Sequence, residues 1–456
     1  MLYNCFEAGG PARGRGEALR FVRVGVDLYR GVFGDYVRGF EAASGFFTHD
    51  PYSRGSYMAR AEHLRRHFAG DRRTLAESLL EFNRRVGAGP AALERARSLA
   101  LPEAVAVVAG QQAGLGTGPL LTVYKAASAV ATAARLESLL GVPVVPVFWV
   151  ASEDHDFEEV RWLAGTDSSG ALLTLRLPDP PVRGSPVGDV ALSREAREVV
   201  AGIGHLLEGP HSALVASWLR EDAAASSSLV ELFCRLMARL FARRGLVLLD
   251  PMLPSLKRAA GPVLLQALER GPRLAEACAR AGGAVREAGY EPGLDVDPSH
   301  ACIFRRVNGR RTALLWGDGG LRNRDGTLRW TVDDLRRDLV RDPEDFSPGA
   351  VLRPVVQEFL VPTLCTVSGR GEVAYLAQMR EVYRLFGLQM PVVRPRLSLT
   401  VVEPSDREAM VRYGVRFEAL ARGRSWGASW TRRAPRRSAP GSGGSGGGSP
   451  GDTSGS

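Results

Sequence analysis

The chain has 456 residues, of which 45% are hydrophobic and 24% charged, with a formal net charge of +9. That content excludes a disordered chain and is enough for two or three domains around a large core. The longest apolar run, Val142 to Ala151, is about half the ~20 residues a membrane span needs, and the N-terminal stretch MLYNCFEAGGPARGRGEALRF lacks an apolar signal core, so a cytoplasmic protein with no membrane partner is expected. The five cysteines (Cys5, Cys234, Cys278, Cys302, Cys365) form no Cys-x-x-Cys pair, so neither a zinc site nor a disulfide framework is expected; Cys234 and Cys365 lie in apolar runs and read as buried thiols. Six arginines and one acid follow Ala421, so the body is only mildly basic and no nucleic-acid partner is expected. Of the 59 basic residues only Lys125 and Lys257 are lysine.

Residues 1–100 read as mainly helical (MARAEHLRRHF, RRTLAESLLEFNRRV), broken at Gly87, Gly89 and Pro90. Residues 101–165 hold an apolar run from Ala104 to Ala109, a glycine-rich loop, a helix-period segment ending near Gly141, and a second apolar run from Val142 to Val150. The last run empties into Ser152-Glu153-Asp154-His155-Asp156. This is a strand–loop–helix–strand unit, and parallel sheets place ligand sites at the carboxyl ends of such strands. Residues 166–228 form an inserted connecting segment whose first part, to 192, is rich in Gly, Pro and Asp and reads as a small β-rich insertion. Residues 229–300 return to α/β core, with a helix from Leu229 to Arg244 and the short strand LVLLDP after Gly245. Residues 301–345 alternate and read as hairpins, a β-rich insertion, while 346–404 alternate strand and helix again. Residues 405–422 begin a helical arm, and 423–456 are Ser/Gly/Pro/Arg low complexity that cannot pack a core. The fold class is therefore α/β, with a parallel sheet assembled from segments distant in sequence.

Gly110, Gly114, Gly116 and Gly118 match neither the P-loop nor the Gly-x-Gly-x-x-Gly pattern. Thr117 or Gly118 can cap the following helix, with Pro119 in its first turn. Gln111 and Gln112 are large polar side chains at a strand end, beside helix amides that favour an anion. In a chain that almost always uses arginine, Lys125 beside that loop points to a need for a compact ammonium. Glu153, Asp154, Asp156, Glu158 and Glu159 surround His155. A metal site through Asp154, His155 and Asp156 is disfavoured because adjacent residues rarely converge on one ion. His155 as a general base, oriented by Asp154 or Asp156, is more economical.

GQQAGLGTGPLLTVYKA followed by PVVPVFWVASEDHDFEEV closely resembles the bacillithiol biosynthesis cysteine-adding enzymes, as do RLPDPPVRGSPVGDV, GLVLLDP and the block from Leu352 to Pro404. The resemblance implies a Rossmann-like parallel sheet core with inserted connecting segments and a helical coiled-coil arm for dimerisation. It implies amide formation between L-cysteine and the amine of glucosaminyl-malate, with ATP as cosubstrate, activation by acyl-phosphate or acyl-adenylate, and no metal beyond magnesium accompanying ATP. On that basis Lys125, Gln111, Gln112, Thr117, Gly118 and Glu153 are expected to hold charged substrate groups, and Arg353 or Arg396 the malate carboxylates. Gln357, Glu372, Tyr375 and Gln378 are expected to read sugar hydroxyls. The sequence departs from the family pattern at Ser368-Gly369-Arg370-Gly371-Glu372, where Gly-Gly-Pro-Gly-Glu is usual, and at Arg394, where an aromatic is usual. The arm also falls short of family length, so a monomer is expected in place of the family homodimer. A truncated relative that binds substrate or nucleotide without turnover is the alternative reading.

Overall fold

The two apolar runs singled out by sequence are the central strands of a five-stranded sheet. β1 (Val105–Gln111) and β2 (Val144–Val150) pair in parallel from Val105↔Val144 to Gln111↔Val150. Every residue of β2 and the first five of β1 are buried, the mark of parallel strands covered on both faces. The structure, a computed structural model, describes residues 29–166, 172–207, 209–317 and 319–421. Its remaining strands are β3 (Trp162–Thr166), β4 (Leu172–Arg176), β5 (Val247–Leu249), β6 (His300–Val307), β7 (Arg310–Gly317), β8 (Gly320–Arg322), β9 (Arg329–Trp330), β10 (Phe346–Pro348), β11 (Thr363–Ser368) and β12 (Val392–Pro395).

The central sheet has the order β12-β11-β1-β2-β5, all parallel. The chain builds β1, β2 and β5 in one direction, then returns to the other side of β1 for β11 and β12. The order therefore reverses between β1 and β11, and the carboxyl ends on either side of that point form the crevice where such sheets bind ligands. A second sheet, β10-β6-β7-β8-β9, is antiparallel, and β3 pairs with β4 as a separate hairpin. The β6–β7 turn is Asn308-Gly309, both at positive φ (50° and 77°), as a two-residue hairpin requires. Its sheet extends to Pro348, three residues beyond the segment read as a β insertion. The connecting segment after the β3–β4 hairpin is largely helical, with helices Arg194–Ile203 and Ser212–Ala225.

Helices hold the sheet through specific polar contacts as well as apolar burial. The Leu120–Leu140 helix lays Ala126, Ala129 and Ala133 against β1 and β2, small side chains three or four apart that allow close approach. It stops at Gly141, which adopts the left-handed conformation (φ 68°) and returns its N–H to Glu137 O at 2.9 Å. Phe148, fully buried in β2, contributes on the order of 2–3 kcal/mol by its removal from water. Strand β5 is an edge, and Asn83 from the Arg72–Arg85 helix covers it by bonding both backbone groups of Leu248, at 2.8 and 2.9 Å. Arg60, from the Arg54–His67 helix, pairs with Glu358 and donates to Thr363 O, tying that helix to the start of β11. Burial pushes the Glu358 carboxyl up to about 8 while the Arg60 charge pulls it back. Cys234, Cys278, Cys302 and Cys365 are buried free thiols.

Among the described residues no helix is long and apolar enough to cross a membrane. Residues 29–399 belong to one unit; the described part of a second starts at Thr400. The second contains helices Pro404–Tyr413 and Phe417–Ala421, separated by Gly414 at φ 63°. The helical arm expected to begin over 405–422 is therefore broken into two short helices, because a left-handed glycine ends the first. The low-complexity stretch 423–456 lies outside the described residues.

Candidate functional site

The five parallel strands deliver Gln111, Ser152 to His155, Asp250, Ser368 and Arg396 to one edge of the sheet. Two clusters form there, one on each side of β1. The adjacent glutamines at its end diverge: Gln111 joins the β11 side and Gln112 the β2 side.

On the β11 side, Lys125 reaches up from the second turn of its helix into the reversal point. Its Nζ lies 2.8 Å from Gly110 O, 2.7 Å from Gln111 Oε1 and 2.7 Å from Glu372 Oε2, so all three ammonium donors are taken. The residue is 4% exposed. Burial pushes the ammonium below the ordinary lysine range, and Glu372 partly offsets this. Lys125 thus neutralises Glu372 and pins the end of β1; it is not a bare cation awaiting phosphate. Glu372 also accepts from Gly369 N at 2.7 Å. Arg353 and Arg396 both lie close enough to act on the Lys125 charge, and after the Lys125–Glu372 pair is discounted they leave the crevice net positive. Arg353 donates to the Tyr375 hydroxyl at 2.5 Å. Gly369 sits between Arg396 and Lys125: a methyl there would meet Arg396 Nε at 3.4 Å and Lys125 Cε at 3.8 Å.

Three buried polar atoms in this region lack a protein partner: Ser368 Oγ at the end of β11, Arg396 Nε just past β12, and Thr122 Oγ1 in the first turn of the Leu120–Leu140 helix. An unsatisfied buried group costs about 1–3 kcal/mol, so three around one crevice point to a polar occupant. Ser368 and Thr122 were not singled out by sequence. The signal for Ser368 was present, since it opens the segment that departs from the family pattern.

The loop from Gly114 to Pro119 folds tightly over the helix start. Gly116, Thr117 and Gly118 have φ of 62°, 78° and 71°, and a Cβ on Gly114 would stand 2.6 Å from Gly118 Cα. Threonine at such a φ is strained, a condition that clusters at ligand sites. The cap differs from expectation: neither Thr117 nor Gly118 caps the helix, because both belong to the positive-φ loop before it; Pro119 is the N-cap, with no side-chain cap bond, and the helix begins at Leu120.

On the β2 side, Gln112 Nε2 bridges Asp154 Oδ2 (2.9 Å) and Glu159 Oε2 (2.7 Å). Asp154 Oδ1 accepts the backbone N–H of His155 at 2.7 Å. Burial alone would raise the Asp154 carboxyl, but the Gln112 amide and the Arg311 charge outweigh it and hold the group below its usual range. The His155 ring is not oriented by a carboxylate as expected: Asp154 Oδ1 is 3.7 Å from its Nδ1, whereas Arg311 Nη1, from β7, is 3.1 Å away. Asp156 is exposed. Glu153 is not open to substrate either; its Oε1 pairs at 2.7 Å with Lys257, which also donates to Phe346 O. Lys257 is 5% exposed, so both lysines of the chain are buried at this one edge, each against a glutamate. Lysine scarcity, applied to Lys125 alone, would have found Lys257 too. Ser152 Oγ donates to Asp250 at 2.5 Å, joining the ends of β2 and β5, and burial raises the Asp250 carboxyl. Among the described residues no three His, Cys, Asp or Glu converge as a metal-ligand set.

Two expected sugar readers are buried against protein partners. Gln378 is 1% exposed, and its amide is occupied at both ends by the backbone of Leu294, at 2.8 and 3.0 Å. Gln357 is 4% exposed and faces Thr366 Oγ1 at 3.4 Å. Arg394, the other departure from the family pattern, donates to the Tyr57 hydroxyl at 3.1 Å.

Comparison with known proteins gives this edge its context. The family description "Bacillithiol biosynthesis BshC, N-terminal Rossmann-like domain" matches residues 21–397. Proteins named "Putative cysteine ligase BshC" are similar over most of the chain. The one from Symbiobacterium thermophilum is 38% identical over 393 residues, covering 81% of this chain and 69% of its own. That from Heliobacterium modesticaldum is 34% identical over 418 residues (89% and 76%), and that from Desulforamulus reducens 32% over 400 (86% and 72%). The chain belongs to the bacillithiol biosynthesis BshC family, and its central sheet is that family's Rossmann-like domain.

Proposed function

We propose that this chain is a cysteine ligase of bacillithiol biosynthesis, joining the carboxyl of L-cysteine to the amine of glucosaminyl-malate. The relatives' names supply the cysteine ligation. The observation that carries the reading to this chain is the net-positive crevice at the β1/β11 reversal, lined by Arg353, Arg396 and the unpartnered Ser368 Oγ, Arg396 Nε and Thr122 Oγ1. Malate brings two carboxylates, and planar guanidinium groups match carboxylates through paired N–H donors.

The ammonium of the amino sugar first gives a proton to water; the free amine then forms the C–N bond as the acyl carbon loses its oxygen leaving group, and the second proton shed by the nitrogen also passes to water. ATP, with its magnesium, is proposed as the cosubstrate that turns the carboxylate oxygen into a leaving group. The N-terminal end of the Leu120–Leu140 helix, positive by its dipole, suits a phosphate. The chain's own contribution is placement: the Lys125–Glu372 pair fixes the end of β1 against β11, and the β2-side loop brings His155 to the same edge. Purified protein incubated with L-cysteine, ATP and glucosaminyl-malate should yield the cysteinyl amide by mass spectrometry, and none when any one is omitted. Saturable binding of glucosaminyl-malate with no product would support a chain that binds without turnover.

A further inference from the structure

Arg311 is one arginine among many and carries no motif, yet its guanidinium is the most constrained in the β2-side cluster. It lies on β7 of the antiparallel sheet, outside the parallel core. Its Nε donates to Ser347 Oγ at 3.0 Å, its Nη2 to Pro348 O at 2.7 Å, and its Nη1 meets His155 Nδ1 at 3.1 Å. The guanidinium carbon lies over the Phe304 ring, 3.8 Å from its centroid, and the side chain is 10% exposed. Three contacts and a stacked face leave it one orientation.

That orientation decides the state of the histidine. A guanidinium can only donate. His155 Nδ1 must therefore be the accepting, unprotonated nitrogen, and the ring proton sits on Nε2. Nε2 makes no hydrogen bond among the described residues and is not buried. The charged groups facing the ring are Arg311 from β7 and, in its own loop, Asp154 at 3.7 Å and Asp156. Burial and the Arg311 charge together push the imidazole below the ordinary histidine range, against the pull of the two aspartates.

We infer that Arg311 is a positioning residue that holds His155 as a neutral, Nε2-protonated imidazole, so that His155 acts on the acyl oxygen as a hydrogen-bond donor and not on the amine as a base. This rests on the cysteine-ligase reading for the identity of the reacting oxygen, but not for the tautomer. Negative charge grows on that oxygen as the amine attacks, and a fixed N–H donor aimed at it stabilises the transition state more than the ground state. A neutral donor fixed by a neighbouring group, in place of an imidazolium, has precedent in isomerase chemistry. The antiparallel sheet thereby supplies the parallel core with a residue that sets its chemistry, a reason for the insertion to be where it is.

The test is nitrogen NMR of protein labelled at its histidines, with His155 assigned by its absence in His155→Gln. Wild type should show an unprotonated Nδ1, a protonated Nε2 and a titration midpoint below that of a free histidine. A proton on Nδ1 in wild type overturns the proposal whatever any variant does. In Arg311→Met the midpoint should rise and the tautomers mix; kcat should fall roughly tenfold to a hundredfold, with KM within about threefold, and the rate should gain an acid limb near neutral pH. Should Arg311→Met not fold, Arg311→Gly with added guanidinium serves the same purpose, and partial restoration of both the tautomer and the rate is expected. An unchanged tautomer and midpoint in a folded variant would also overturn it. If the wild-type tautomer is as stated but no cysteinyl amide forms, the ligase reading fails and the Arg311–His155 arrangement stands.

Discussion

Replacing Lys125 by methionine keeps the length of the stem and removes the ammonium. Three contacts disappear together, to Gly110 O, Gln111 Oε1 and Glu372 Oε2. Glu372 is left with the Gly369 N–H and a side chain 24% exposed. Breaking a buried pair by removing one partner costs about 3–5 kcal/mol, and the partial exposure of Glu372 places this case near the lower figure, roughly 3 kcal/mol. The cycle with Glu372→Gln separates pairing from packing. If Lys125 serves chiefly to balance Glu372, the double variant should be more stable than the sum of the single losses implies, with a coupling of about 2 kcal/mol in urea unfolding. Lys125→Arg keeps the charge, but a planar fork cannot satisfy acceptors that converge on one nitrogen, and its bulk should cost about 1–3 kcal/mol at a site 4% exposed. Losses that add within about 0.5 kcal/mol would show that the pair is not coupled. Wild-type stability in Lys125→Arg would show that charge alone suffices.

Gln378→Ala should destabilise by about 2 kcal/mol, because Leu294 loses partners for both its N–H and C=O, while KM for the amino sugar stays near wild type; a large rise in KM would restore Gln378 as a substrate contact. Thr117→Gly should raise the unfolding midpoint by the equivalent of about 1 kcal/mol, since it relieves a β-branched residue at φ 78°; a loss of stability would mean that the threonine side chain outweighs its strain. His49 is buried beside Arg60, and burial first, then that charge, lowers its pKa to about 4. Between about 6.5 and about 4 the unfolded chain binds this proton and the folded chain does not, so stability should fall as pH drops through that window, by at most on the order of 3 kcal/mol from this group. His49→Gln should flatten the curve there, and an unchanged slope would assign the acid lability to other groups.

The parallel sheet was legible because continuous apolar runs such as Val144–Val150 admit few alternatives, and the carboxyl edge followed from direction alone. The resemblance named the family from motifs along the same edge. Contacts between segments distant in sequence were not legible. Nothing near Arg311 in sequence announces that it meets His155, 156 residues away, and nothing near Gln378 announces that its amide closes on the backbone of Leu294. The acidic run around His155 suggested a carboxylate orienter because charge is readable locally. The structure supplies a cation instead, because β7 lies across the loop. Lysine scarcity marks Lys125 in the sequence, but its three acceptors come from the end of β1 and from the helix after β11, and only the folded sheet brings those together.

On the proposed function, the crevice at the β1/β11 reversal holds the anionic part of glucosaminyl-malate. A crystal structure of the protein with that compound would show where it binds. The malyl carboxylates should lie within hydrogen-bond distance of Arg396 Nε and Ser368 Oγ, giving partners to atoms that now have none. Well-ordered glucosaminyl-malate bound elsewhere, with Ser368 Oγ and Arg396 Nε still unpartnered, would contradict it.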